Sequence, residues 1–124
     1  MAIYKTFKDL DAWKESRKLV KSIYLATASF PKEEEFGIKL QMRRAAISVI
    51  SNIAEGYGRQ YKKESIQFMF MSKGSLNELE AQLTVSEDLN FLTDQAVNSL
   101  IEQIEVSRKL LSGYINYLEK AELK

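Results

Sequence analysis

Between residues 62 and 90, seven positions recur at alternating steps of four and three: Ser65, Met69, Ser72, Leu76, Leu79, Leu83 and Ser86. In an α-helix, residues three and four apart lie on the same face, so these seven line one continuous stripe. A strand needs a period of two instead, and no stretch of the chain keeps one. A long helix with one apolar stripe must bury it against other helices.

Three more segments repeat the pattern. In the first helix, about residues 9–29, Trp13, Ser16, Val20, Ile23 and Thr27 form the expected seam. Thr6, three before Asp9, suggests a capping box at its start, and Phe30-Pro31 ends it, because a residue before proline avoids the helical region. The second helix, about 37–56, presents Ile38, Met42, Ala45, Val49 and Ile53, and the acidic run Glu33-Glu34-Glu35 suits its N-terminus. The fourth, about 94–121, follows Val97, Ile101, Ile104, Arg108, Leu111, Ile115 and Leu118. Thr93 is placed to cap it, with Asp94 suiting its dipole. Short connections make sequential helices antiparallel neighbours. The expected architecture is all-α, an up-down-up-down four-helix bundle forming one domain over residues 1–124.

Two helices carry more apolar surface than one bundle uses. Beside the core face of the second lie Ile47, Ile50, Ala54 and Tyr57, and away from the seam of the third lie Phe70, Gly74, Ala81 and Val85. The apolar part of the second helix spans roughly 200°, against the ~100° stripe a surface helix needs. Large exposed apolar patches are rare on monomers, so these residues are expected to form an interface between copies of the chain.

The absence of cysteine excludes disulfides and thiol chemistry, and the absence of histidine removes the commonest general base and nitrogen ligand. No cofactor or metal is expected, and the carboxylate-histidine pairs of di-metal bundles cannot form around Glu78 and Glu80. No apolar run is long enough for a membrane span, and the charged N-terminus lacks a signal-peptide core, so a cytoplasmic location and no membrane partner are expected. Net charge is +1, but it is unevenly distributed. Residues 1–63 hold 13 Lys/Arg against 7 Asp/Glu, and residues 64–124 hold 5 against 10. Such a division points to a basic face for a polyanion, or to complementary faces that meet.

The stretch SNIAEGYGRQYKKE, residues 51–64, carries the local candidate. It is not a dinucleotide fingerprint, since Tyr61 stands where a third glycine belongs and a helix precedes it where a strand is required. It is not a P-loop either. One of its glycines is expected to close the second helix in the left-handed conformation. Arg59, Lys62 and Lys63 crowd the start of the third helix, where free N–H groups and cations together suit phosphate, and Tyr57 and Tyr61 could stack on bases. Lys14, Lys18 and Lys21 extend the basic track along the first helix. Arg44, Ser48, Ser51 and Glu55 share a stripe with Asn52 at its edge, read as a packed polar network. Arg108, on the fourth seam, needs a carboxylate, with Glu78 or Glu80 as candidates.

The segments FKDLDAW, FPKEEEFGIKLQMRRAAISVISNIAEGYGR and KGSLNELEAQL resemble the four-helix-bundle family of 23S rRNA intervening-sequence proteins, small bacterial proteins most of which have no established biochemical function. The resemblance runs from about Phe7 to Leu92. It implies a ring-like homopentamer, and a similar fold serves as the nucleic-acid-binding accessory protein of diversity-generating retroelements. The family pattern covers Arg44, Asn52, Glu55, Gly56, Gly58, Arg59, Gly74, Ser75, Leu76, Glu78 and Glu80; Tyr61 departs from it, standing where many members have a small hydroxyl residue. The reading is a non-enzymatic homo-oligomer that binds RNA or DNA through a basic surface. The alternative is a scaffold that binds a protein partner and no nucleic acid.

Overall fold

Thr6 and Asp9 form the expected capping box, but it closes only a 3-10 turn, Phe7–Asp9. The first α-helix, α1, begins after it at Asp11 and runs to Thr27, with Leu10 at its N-cap and no side-chain cap bond. A second 3-10 turn, Lys32–Glu34, leads into α2, Ile38–Tyr57. There the Glu34 carboxylate accepts from the Ile38 N–H at 3.3 Å, so the acidic run does serve the helix start. α3 spans Lys62–Asp88 and α4 Asp94–Lys120. Thr93 caps α4 as expected, accepting from the Ala96 N–H at 3.1 Å. The computed structural model describes residues 4–121, so the six terminal residues of the expected single domain lie outside the described ones.

α1 packs on α2, α2 on α3, α3 on α4 and α4 back on α1, and the diagonal pairs are not backbone neighbours. This is the up-down four-helix bundle. The buried residues of α3 are the seven of its seam without exception. α1 and α4 are each rotated slightly from expectation. Ala12 and Leu19 are buried where Trp13 and Val20 were expected, and Leu100 and Ser107 where Ile101 and Arg108 were. Adjacent apolar residues made either face possible, and the indole and guanidinium are too large for a four-helix seam. In α2, Ala46 and Gly56 join the core and Ile38 is only half-buried.

The left-handed glycine does not exist. Among the described residues no glycine has positive φ, and Gly58 ends α2 at φ −84° and ψ 0°. Gly56 is required for closeness instead. A Cβ there would stand 2.6 Å from Met69 Cε, 2.7 Å from Phe68 Cβ and 3.1 Å from the Ser65 carbonyl. The left-handed residue is Asn90, φ 62°, after α3. The Phe91 N–H reaches the Ser86 carbonyl and the Asn90 N–H that of Glu87, each at 2.9 Å, which is a Schellman ending.

Two helix C-termini are closed by cations from other helices. Arg43 on α2 donates to the Tyr24 carbonyl at 3.0 Å and to Thr27 Oγ1 at 2.9 Å at the end of α1, with its guanidinium over the Tyr24 ring. Lys62 donates to the carbonyls of Glu119 and Ala121 at the end of α4, at 3.4 and 3.2 Å. Unpaired terminal carbonyls and the negative end of the helix dipole favour a cation in both places.

Candidate nucleic-acid and assembly surfaces

The glycine corner joins α2 to α3 at one end of the bundle, and most of its cations are already engaged. Arg59 pairs with Glu55 at 2.9 Å and lies over the Phe68 ring. Lys62 holds the end of α4. The Tyr57 hydroxyl donates to the Tyr4 carbonyl at 3.0 Å, and Tyr57 is half-buried against the core. Only Lys63 and Tyr61 are exposed with no ion pair or hydrogen bond from their side chains among the described residues. Tyr61 sits at the N-cap of α3 without a side-chain cap bond, as its phenol dictates. The expected phosphate corner is therefore reduced to Lys63 beside an uncapped helix start.

The same end gathers tyrosines. Tyr4 meets Tyr114 and Tyr117 edge-on, and Tyr114 stacks on Tyr117. Burial, reinforced by the neighbouring phenols, pushes the Tyr114 hydroxyl up to about 12 and keeps it neutral. The order of the helices puts Glu33, Glu34, Glu35, Glu87, Asp88 and Asp94 at the opposite end, together with Lys32 and Lys39. The hydrogen bond that the Glu87 carboxyl shares with Asp94 favours its protonated form and raises it above its usual range, whereas Lys39 lowers that of Glu35.

Lys14, Lys18 and Lys21 are all exposed on α1, and Lys18 pairs with Glu15 at 2.8 Å. They form the lip of a groove of about 750 Å³ between α1 and α2, with Lys8 and Arg17 beside them. Its floor is apolar, made by Trp13, Val20, Ile47 and Ile50. The basic track and the second apolar strip of α2, read from the sequence as separate features, thus share one concavity. Ala54 belongs elsewhere, to a shallower hollow with Ser51, Glu55, Gly58 and Arg59.

The apolar residues of α3 form a different surface. Phe70 is 52% exposed, Val85 is 45% exposed, and Gly74 and Ala81 lie exposed between them. Outside its own helix backbone, no atom lies within 4 Å of where a Cβ on Gly74 would stand, so this position opens onto empty space in the single chain.

The residues read as one polar network are held in separate groups. Asn52 donates to the Ser48 carbonyl and hydroxyl, and the Ser48 hydroxyl meets that of Ser75 on α3 at 2.9 Å. Glu55 turns to Arg59, and Arg44 is exposed with no partner among the described residues. Arg108 finds Glu80 at 2.7 Å, together with Asn77 and Glu105, while Glu78 accepts from Gln82. Arg108 and Glu80 bridge α4 to α3 and share no hydrogen-bond partner with the α2 stripe among the described residues. The capping roles of Lys62 and Arg43 were not visible in the sequence, because each depends on a helix distant in the chain.

Among the described residues no three His, Cys, Asp or Glu side chains are grouped to hold a metal, and no helix is long and apolar enough to cross a membrane. The family model described as "23S rRNA-intervening sequence protein" matches residues 8–113. A crystal structure of a protein of unknown function from the S23 ribosomal protein family of Bacteroides thetaiotaomicron superposes with a TM-score of 0.75 at 22% identity. The match covers 84% of this chain and 97% of that one. No curated protein matches.

Proposed function

The chain belongs to the 23S rRNA-intervening sequence protein family, for which no catalytic activity is known, and we propose that it works without chemistry, as a homo-oligomeric bundle that contacts nucleic acid through α1. Five copies is the number implied by the resemblance. The observation that carries the reading is the run of Lys14, Lys18 and Lys21, exposed along one side of a helix with a single carboxylate, Glu15, paired among them. Lys14 and Lys21 are separated by about 10 Å of helix rise, a reach that spans neighbouring phosphates, and each copy added to an assembly repeats it.

Binding of RNA and of DNA oligonucleotides measured across a salt series tests this. Affinity should fall steeply with salt, and Lys14→Ala/Lys18→Ala/Lys21→Ala should flatten the slope by about one unit for each phosphate left without its lysine. Lys63→Ala should have a smaller effect in the same direction. A triple variant that binds as tightly as the parent, with the same salt slope, would rule α1 out. The apolar floor of the groove favours a second reading, a scaffold for protein partners. A protein retained from a nuclease-treated lysate, with no oligonucleotide binding, would favour it.

A further inference from the structure

We propose that the groove between α1 and α2 takes a single strand of nucleic acid, bases turned in against its floor and phosphates on its cationic lip, in preference to a duplex. The inference rests on the nucleic-acid reading of α1 and names the form of polyanion that the site selects.

Shape separates the two forms. The α1 wall of the groove is a stripe at helical spacing, Trp13, Arg17, Val20 and Tyr24, and the α2 wall is Ile47 and Ile50. A duplex keeps its bases paired and stacked and shows only their edges, so it can offer phosphates to the lysines but lays nothing flat on an apolar floor. A single strand has free base faces, which stack on aromatic rings and on guanidinium planes. Both kinds of plane are present. The Arg17 guanidinium lies 5.6 Å over the Trp13 ring, and Phe7 braces that indole edge-on at 5.1 Å. Tyr24 stands about 16 Å further along the helix, with Arg43 at 4.3 Å against one face of its ring. Two stacking points at that separation suit a few nucleotides of an extended strand.

The charge around the groove is almost entirely of one sign. Its lip carries Lys8, Lys14, Arg17, Lys18 and Lys21 against Glu15 alone, and Glu15 is paired with Lys18. The other carboxylate of α1, Asp11, lines a hollow beside Lys109 of α4, and Asp9 accepts from the backbone N–H groups of Lys5 and Thr6. α2 has no carboxylate from Ile38 to Ala54 and adds Arg43, engaged at the end of α1, and Arg44. The occupant is therefore anionic along the lip and apolar where it meets the floor, which is the chemistry of a sugar-phosphate strand with its bases turned inward. An acidic amphipathic helix would meet the same charge, but its aliphatic side chains would leave the Trp13–Arg17 stack unused.

Trp13 is the one tryptophan of the chain, so the indole itself reports on the groove. A mixed-sequence strand of about 16 nucleotides, made as RNA and as DNA, is titrated at low salt, and so is the DNA strand annealed to its complement. Anisotropy of the labelled nucleic acid gives the affinities. The single strands should quench the indole and bind about tenfold tighter than the duplex, or more. The duplex should bind through the lysines and leave the indole emission unchanged. The tighter of the RNA and DNA strands identifies the source of the ligand. Trp13→Leu should weaken the single strand by about five- to a hundredfold, the range for one lost base stack, and leave duplex affinity and the salt slope as they were. Ile47→Gln, at an exposed position, should act in the same direction and by less, and helical circular dichroism checks that both variants fold. A duplex that binds as tightly as the strand overturns the inference, as does a strand whose affinity survives both substitutions; either leaves the α1 lysines as a contact for the double helix. An indole that responds to an acidic amphipathic peptide and to no strand overturns it in favour of a protein partner. If neither strand nor duplex binds at low salt, the nucleic-acid reading itself falls, so the failures are distinct.

Discussion

Two glycines of this chain look equivalent in sequence and differ in what surrounds them. Gly56 lies where α2 and α3 press together, with Met69, Phe68 and the Ser65 carbonyl inside the distance a methyl needs. The Ser65 carbonyl belongs to backbone and can yield only if α3 shifts. Gly56→Ala should therefore destabilise the fold by about 1–3 kcal/mol. Gly74 opens onto empty space, so Gly74→Ala in a dilute, unassembled chain should gain the helix-propensity difference, about 1 kcal/mol in the opposite direction. Urea unfolding of both variants at low concentration checks the pair, and equal effects would show that the two sites are packed alike. The close packing at Gly56 was not legible beforehand, because a single helix's pattern does not say how close the next helix comes. Trp13 makes the same point. Its apolar character marked it for the core, yet Ala12 takes the inner position and the indole lies at the groove, under the Arg17 guanidinium.

At the scale of the helix, local chemistry was the most legible part of the sequence. The α3 seam was readable residue for residue because its steps of four and three run unbroken over seven positions, even though Phe68, Phe70 and Met71 adjoin it. The α1 and α4 seams were readable only to within one position, since Leu19-Val20 and Leu100-Ile101 each offer two neighbouring apolar choices. Helix ends divide in the same way. Thr93 satisfies a donor of α4 through its own side chain, so its role could be read; the cations closing α1 and α4 come from far along the chain, so theirs could not. Thr93→Ala should lower stability by about 1 kcal/mol. α3 begins with the opposite defect, an exposed phenol at the N-cap three residues before Glu64. Tyr61→Ser would complete a capping box with that glutamate and should raise stability by about 0.5–1 kcal/mol. Thermal melts of the two variants, run beside the parent, read both signs; a neutral Tyr61→Ser would mean that the phenol contributes more by packing than a cap would add.

For the molecule as a whole, the uneven charge of the sequence acquires a geometry. α1 and α2 adjoin, α3 and α4 adjoin, and the residues up to the start of α3 hold 11 Lys/Arg against 7 Asp/Glu while those from Lys62 on hold 7 against 10, so the two sides of the bundle differ modestly in charge. That division, together with a groove on one side and an apolar seam on the other, leaves a single copy with two unsatisfied surfaces. The sequence made the surplus of apolar residues plain but grouped them as one interface. Only the folded bundle separates Ile47 and Ile50 from Phe70, Gly74, Ala81 and Val85. An assembly that covers the α3 surface binds folded chain and not unfolded chain, so it must stabilise the fold by mass action. The melting midpoint of the wild type should climb with protein concentration. Above the association midpoint, each tenfold increase is worth about 1.4 kcal/mol per joint, enough to move the transition by several degrees. Phe70→Glu should melt at one temperature throughout the same dilution series. Should the wild type prove equally indifferent to concentration, the α3 surface would have to be stable in water without a partner, and the width of its apolar face would have no physical account.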